Sequence, residues 1–396
     1  MLGKEGRLIM PKVSVDINPS VISWALSQSD ISQLGSKLMD NITKWLNGTK
    51  SPTFNQIEDF SKKSNIPLGY FFLDTPPEEK IGLLDFRTID NLKHLNPSRN
   101  LIDTIYEMER IQDWMREYRI DSGFDELPLV GSLSKYESVD AIANKIRLDL
   151  DLSINWYSNC KDARESFTFI RKRLEECGII VMMNGIVGKN THRILDVEEF
   201  RAFTMINAYA PLIFINGADS QGARLFSLFH EIVHIWLGEN DFYNANSVDD
   251  ESLKRTEIIC NAVANELIVP KKEFLVMWDL DKGHGNVFNK ILNLSIDFRC
   301  SQMVIARKAL DNNKIDLDVY NQIKNDSIDY FAKRKENKTS GGNYYNTMGT
   351  RLDGCLVRAL CESILTGRTT YTEAYRLTNT NAKTFNEIAN RLGGVL

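Results

Sequence analysis

The sequence predicts an α+β protein in which a small β-sheet and a set of long helices form a central domain, with shorter helices on either side. Three observations carry that expectation. Apolar residues recur at helical spacing through much of the chain, as at Leu101, Ile105, Met108, Ile111 and Met115. The period changes between about 178 and 216, where short β-rich runs are bounded by Gly, Asn and Pro. Long helical patterns then return at 221–237 and 251–268.

The composition narrows the class. The chain has 396 residues, 43% hydrophobic and 26% charged, which fits a soluble globular protein of two or three domains. No stretch approaches the roughly 18 uncharged apolar residues of a spanning helix, and the N-terminus has no apolar run long enough for a signal peptide. Six Cys (160, 177, 260, 300, 355, 361) form no CxxC pair, so reduced thiols in a cytoplasmic protein with no membrane association are expected. The net charge of -5 argues against a nucleic-acid binder along its whole length. Its distribution is uneven, however. Residues 1–76 hold eight Lys/Arg against seven Asp/Glu and residues 333–396 hold ten against five, so the middle carries the acidic surplus.

The elements follow in order. A helix starts at Pro19, a second runs through Leu34 and Leu38, and Ile42–Trp45 continues the pattern. Asn47-Gly48 and Ser51-Pro52 are turn pairs, and a further helix covers Thr53 to Ser64. Asp74-Thr-Pro-Pro marks a boundary, because paired prolines stop regular structure. Helices are expected at 98–120, 138–150 and 163–176, and strands at 178–183, 200–206 and 211–216. Lys333–Asn343 reads as a linker to a last small helical unit. The resulting domains are 1–76, 77–332 and 333–396.

The chemistry is concentrated in Phe226-Ser-Leu-Phe-His230-Glu231-Ile-Val-His234. Two His four apart on a helix project from one face and can share a metal ion. Glu231, beside the first, is placed to act on a metal-bound water as general base. The helix is apolar nearly all round, so it should be buried, and two imidazoles and a carboxylate are costly there unless they pair or bind metal. A catalytic zinc takes three protein ligands and keeps a fourth position for water. The third ligand must come from elsewhere. Glu257 and Glu266, on the following helix, are nine residues apart and half a turn out of phase, so at most one can face the metal. Glu257 shares its face with Cys260, Asn261 and Ala264, small residues suited to close packing, and is the favoured ligand, with Glu266 its rival. Zn2+ is the default for such a set, although Mn2+ or iron fits the same shell.

The HExxH helix, followed by Glu257-Ile-Ile-Cys-Asn261-Ala-Val-Ala-Asn-Glu266-Leu-Ile-Val-Pro270, resembles the ImmA/IrrE family of metallopeptidases. Arg224-Leu-Phe before His230, and the strands at Glu199-Phe-Arg-Ala-Phe and Ala210–Asn216, are similar to that family as well, so the likeness covers roughly 80–330. It implies a zincin-like metallopeptidase domain of the gluzincin type, in which His230, His234 and Glu257 hold zinc and Glu231 is the catalytic base. It also implies a protein substrate, a DNA-binding repressor or other regulator. The alternative is a non-proteolytic regulator, an antitoxin-like partner of a toxin with a structural metal. The sequence names no oxyanion stabiliser; Arg224, Tyr243 and His284 are the candidates, with His192 also available.

The head resembles an XRE-type helix-turn-helix, through Ile42–Thr53 and Ile66-Pro-Leu-Gly69-Tyr-Phe-Phe72, but lacks the usual Gly-(apolar)-Ser turn between 34 and 42. Were DNA bound there, Asn41, Thr43, Lys44 and Lys50 would contact it. With a net charge of +1 the phosphate contribution is weak, so a scaffold or protein-docking role is favoured. The tail resembles the C-terminal extension of longer family members, and Thr372–Thr378 followed by Thr384–Ala389 suggests another helix-turn-helix-like pair.

Overall fold

The structure, a computed structural model, describes residues 13–29, 31–79, 97–239, 241–243, 251–280, 286–336 and 349–393. Two compact units emerge among these, one of 13–79 with 97–103 and one of 104–393.

The first unit contains α1 (Pro19–Ser27), α2 (Ile31–Leu34), α3 (Ser36–Leu46) and α4 (Phe54–Ser64), followed by a 3-10 turn at Leu68–Phe72. The amphipathic pattern buries Ile22, Leu38, Ile42, Trp45, Ile57, Phe60 and Phe71 in one core. α4 starts at a capping box, where the Gln56 side chain accepts from Thr53 N–H at 3.0 Å. The departure noted in the sequence has a structural form. α2 is a single turn, and Gly35, with φ of 72°, is all that separates it from α3. A DNA-reading helix-turn-helix uses a turn of roughly three or four residues.

The second unit is built from α5 (Arg99–Asp121, of which 104–121 belong here), α6 (Val139–Asp149), α7 (Ala163–Glu176), β1 (Ile180–Asn184), β2 (Ala202–Met205), β3 (Leu212–Asn216), α8 (Gln221–Leu237), β4 (Asp241–Tyr243), α9 (Glu251–Ile268), α10 (Lys271–Leu280), α11 (Val287–Asp297), α12 (Gln302–Asp311), α13 (Leu317–Glu336), α14 (Gly354–Leu365), α15 (Tyr371–Leu377) and α16 (Ala382–Arg391). The sheet order is β1-β3-β2-β4, with β1 parallel to β3 and the other pairs antiparallel. The three expected strands are present, each beginning and ending within two residues of the expected bounds. A fourth, β4, was not expected, because three residues are too few to show an alternation.

α8 packs on the sheet face formed by Val181, Ala202, Ile213 and Ile215. Ser220 caps its start by accepting from Ala223 N–H. Gly238, with φ of 71°, ends it, and a Cβ there would lie 2.8 Å from Gly131 Cα, so only glycine fits. The loop that Gly131 belongs to satisfies the helix's last carbonyls, Gly131 N–H donating to Ile235 and Leu133 N–H to Trp236. α9 lies against α8 and α6. Two buried indoles of this unit find acceptors, Trp236 donating to Asp149 and Trp156 to the Leu267 carbonyl.

The tail helices α14–α16 share the unit with the sheet instead of standing apart. β1 is an edge strand, and its outward groups are closed by the tail. Val181 N–H donates to Asp353 at 2.9 Å, while Arg171 donates to the Val181 carbonyl at 2.7 Å and to the carbonyls of Thr350 and Leu352. α5 adds Trp114 to Thr369, Tyr118 to Glu362 and Glu107 to Asn379. Much of the basic surplus read in the tail sits at Lys333, Arg334, Lys335 and Lys338, ahead of these helices.

Candidate metal centre

α8 is buried along nearly all its length, so its two imidazoles meet other protein atoms and not solvent: His230 is 0% and His234 1% exposed. Their Nε2 atoms are 3.1 Å apart. Glu257, on the facing helix α9, reaches both, with Oε2 3.4 Å from His230 Nε2 and Oε1 3.6 Å from His234 Nε2. Ligands roughly 2.0–2.1 Å from a tetrahedral zinc stand about 3.3 Å from one another. The three separations lie close to that value, with each Glu257 oxygen facing one imidazole, and among the described residues these three side chains form the group able to hold a metal ion. Asn261, one turn beyond Glu257, places Oδ1 3.2 Å from His230 Nδ1. With the Nδ1 proton donated to that oxygen, Nε2 turns its lone pair towards the other two ligands.

Glu231 is 0% exposed, and Thr204 in β2 donates to its Oε2 at 2.5 Å. Glu266 faces the other way. Its carboxylate accepts from Lys271 N–H and pairs with Lys308, and the backbone carbonyl of Glu266 accepts from Arg147. Burial lowers the pKa of Lys308, and the adjacent Glu266 charge acts against that shift.

Of the oxyanion candidates, Arg224 is engaged at the start of α8. Arg224 sits two turns before Glu231, its Nε donating to the Asp219 carbonyl and its Nη1 lying 4.0 Å from Met183 Sδ. Burial lowers the pKa of this guanidinium. These contacts make it a brace at the start of α8. Tyr243 belongs to β4, its backbone opposite Ala202. His192 lies in an exposed loop. His284 is outside the described residues. In the first unit, α3 engages the candidate DNA contacts internally: Asn41 donates to the Lys37 carbonyl, Thr43 to the Met39 carbonyl, and Lys44 pairs with Asp40 at 2.6 Å. Lys50 is exposed.

Residues 175–309 match the family model described as the IrrE N-terminal-like domain, of the M78 peptidases. M78 peptidases are metal-dependent, and the matched segment contains both helices of the centre. A metallopeptidase-type function is supported for this part of the chain. Residues 352–391, the docked tail, match a domain of unknown function. No curated protein and no solved structure matches the chain. Among the described residues no helix is long and apolar enough to cross a membrane.

Sequence reasoning missed two residues. Asn261 was noted only as a small neighbour of Glu257. Thr204 was one hydroxyl in an apolar strand, and only the strand's register against α8 shows what it meets.

Proposed function

We propose that the second unit is a metal-dependent endopeptidase in which His230, His234 and Glu257 hold one divalent cation, Zn2+ in the first place and Mn2+ as the rival. The observation that carries the reading is the trio of ligand-atom separations, 3.1, 3.4 and 3.6 Å, set by two helices that the fold packs face to face. When bound, the cation supplies Lewis acidity to the scissile carbonyl and to the attacking water. Asn261 holds the His230 ring in the tautomer that ligation needs. Glu231 takes the proton from the water and returns it to the departing amine. The buried wall of α8 keeps bulk water from these groups, which strengthens every charge interaction among them.

The proposed substrate is a regulatory protein, a DNA-binding repressor before others, following the family resemblance. For the first unit a docking role is favoured over duplex binding, since three of its four candidate contacts are engaged along their own helix. The test is co-expression of wild type or Glu231→Gln with the proteins encoded beside it, followed by mass spectrometry for new termini. New termini with wild type alone support the peptidase. A biological effect that Glu231→Gln retains in full, with no new termini, supports instead the non-proteolytic regulator.

A further inference from the structure

We infer that Thr204 is a positioning residue for Glu231, an inference that rests on the peptidase reading of the same centre. Thr204 is fully buried in a strand whose four residues are all buried. Valine would fill that space without a polar atom, and a buried hydroxyl is tolerated only where it finds a partner. Side-chain alternation places Thr204 with Ala202 on the α8 face, while Phe203 and Met205 point away.

The hydroxyl lies 2.5 Å from Glu231 Oε2 and 3.4 Å from the Glu231 backbone oxygen. A hydroxyl has one proton to give, and the shorter distance is in the range of a charge-assisted bond to a carboxylate. The donor is itself rigidly held. β2 lies inside the sheet, with Thr204 opposite Ile213 of β3 on one side and Asp241 of β4 on the other. A glutamate has three side-chain torsions, and one firm bond anchors Oε2 and narrows how the carboxylate can turn. Oε1 is thereby the oxygen assigned to the water's proton, so the sheet orients the base while the helix carries it.

The test uses the full-length, zinc-loaded protein and acetohydroxamate, a chelator that grips the ion and also offers its own proton to the neighbouring carboxylate. Titration calorimetry should show affinity reduced about tenfold by Thr204→Val and by Thr204→Ala. Zinc content should be equal to wild type, and Thr204→Ser should restore affinity. In a Glu231→Gln background, Thr204→Val should cost nothing further, which a purely structural role would not produce. Wild-type affinity in both removal variants overturns the inference, as does an equal loss in the Glu231→Gln background. If zinc-loaded wild type does not bind the hydroxamate at all, the peptidase reading fails and the role of Thr204 falls with it.

Discussion

Glu257 and Glu266 sit on one helix, half a turn out of phase, and the neighbourhoods at their two faces differ in kind. Glu266 meets fixed cationic chemistry: Lys308 pairs with its carboxylate, and Arg147 binds its backbone carbonyl. Glu257 meets two imidazole nitrogens, whose separations leave room for an ion at their centre. The carboxylates under the tail resemble Glu266. Asp353 caps α14 and accepts from Val181, and Glu175 stands 3.4 Å from Arg171. A buried acid matched by lysine or arginine is already answered by the fold, whereas one matched by imidazoles alone is placed for a guest.

The comparison can be broken most sharply at Arg171. Methionine there removes the cation shared by Asp353 and Glu175 and the donor to three carbonyls. A loss of about 3–5 kcal/mol in denaturant unfolding is expected, with zinc binding by the folded protein unchanged. A loss of zinc equal to the loss of stability would show that the two regions are not separate in function.

On the metal side, Asn261→Ala removes the partner of His230 Nδ1 while sparing all three ligands. Zinc affinity, measured by competition with a chelator, should fall about 10–100-fold. An unchanged affinity would mean that the ring is oriented without it.

The smallest effect concerns pH. Burial pushes the carboxyls of Glu175 and Asp353 up from their ordinary values, the charge of Asp353 adds to the push on Glu175, and Arg171 opposes it. The folded state then binds more protons than the unfolded state between the ordinary and the raised values, so stability falls as pH rises through that window. Glu175→Gln imitates the protonated form. Its melting temperature should exceed that of wild type by about 2 °C at pH 7, and the gap should close as pH falls towards the ordinary carboxylate range. A gap that widens on acidification would contradict the shift.

The HExxH helix was legible because its signal is local: spacing of four puts both imidazoles on one face. Helical phase also showed that Glu257 and Glu266 could not both serve, and small neighbours favoured the face of Cys260 and Asn261, but phase alone cannot say which face meets α8. Thr204 and β4 were illegible for a related reason. A strand's partners are set by register with distant residues, and the three residues of β4 carry no pattern of their own. The docking of the tail depends on single polar contacts, such as Asp353 with Val181, that leave no periodic trace in sequence.

The most direct measurement is zinc stoichiometry, by inductively coupled plasma mass spectrometry after exhaustive dialysis, for wild type, Glu257→Gln and Glu266→Gln. One zinc per chain is expected for wild type and for Glu266→Gln, with the ion lost from Glu257→Gln. A Glu257→Gln protein that keeps its zinc, or a wild type that never holds one, would contradict a metal gripped by His230, His234 and Glu257.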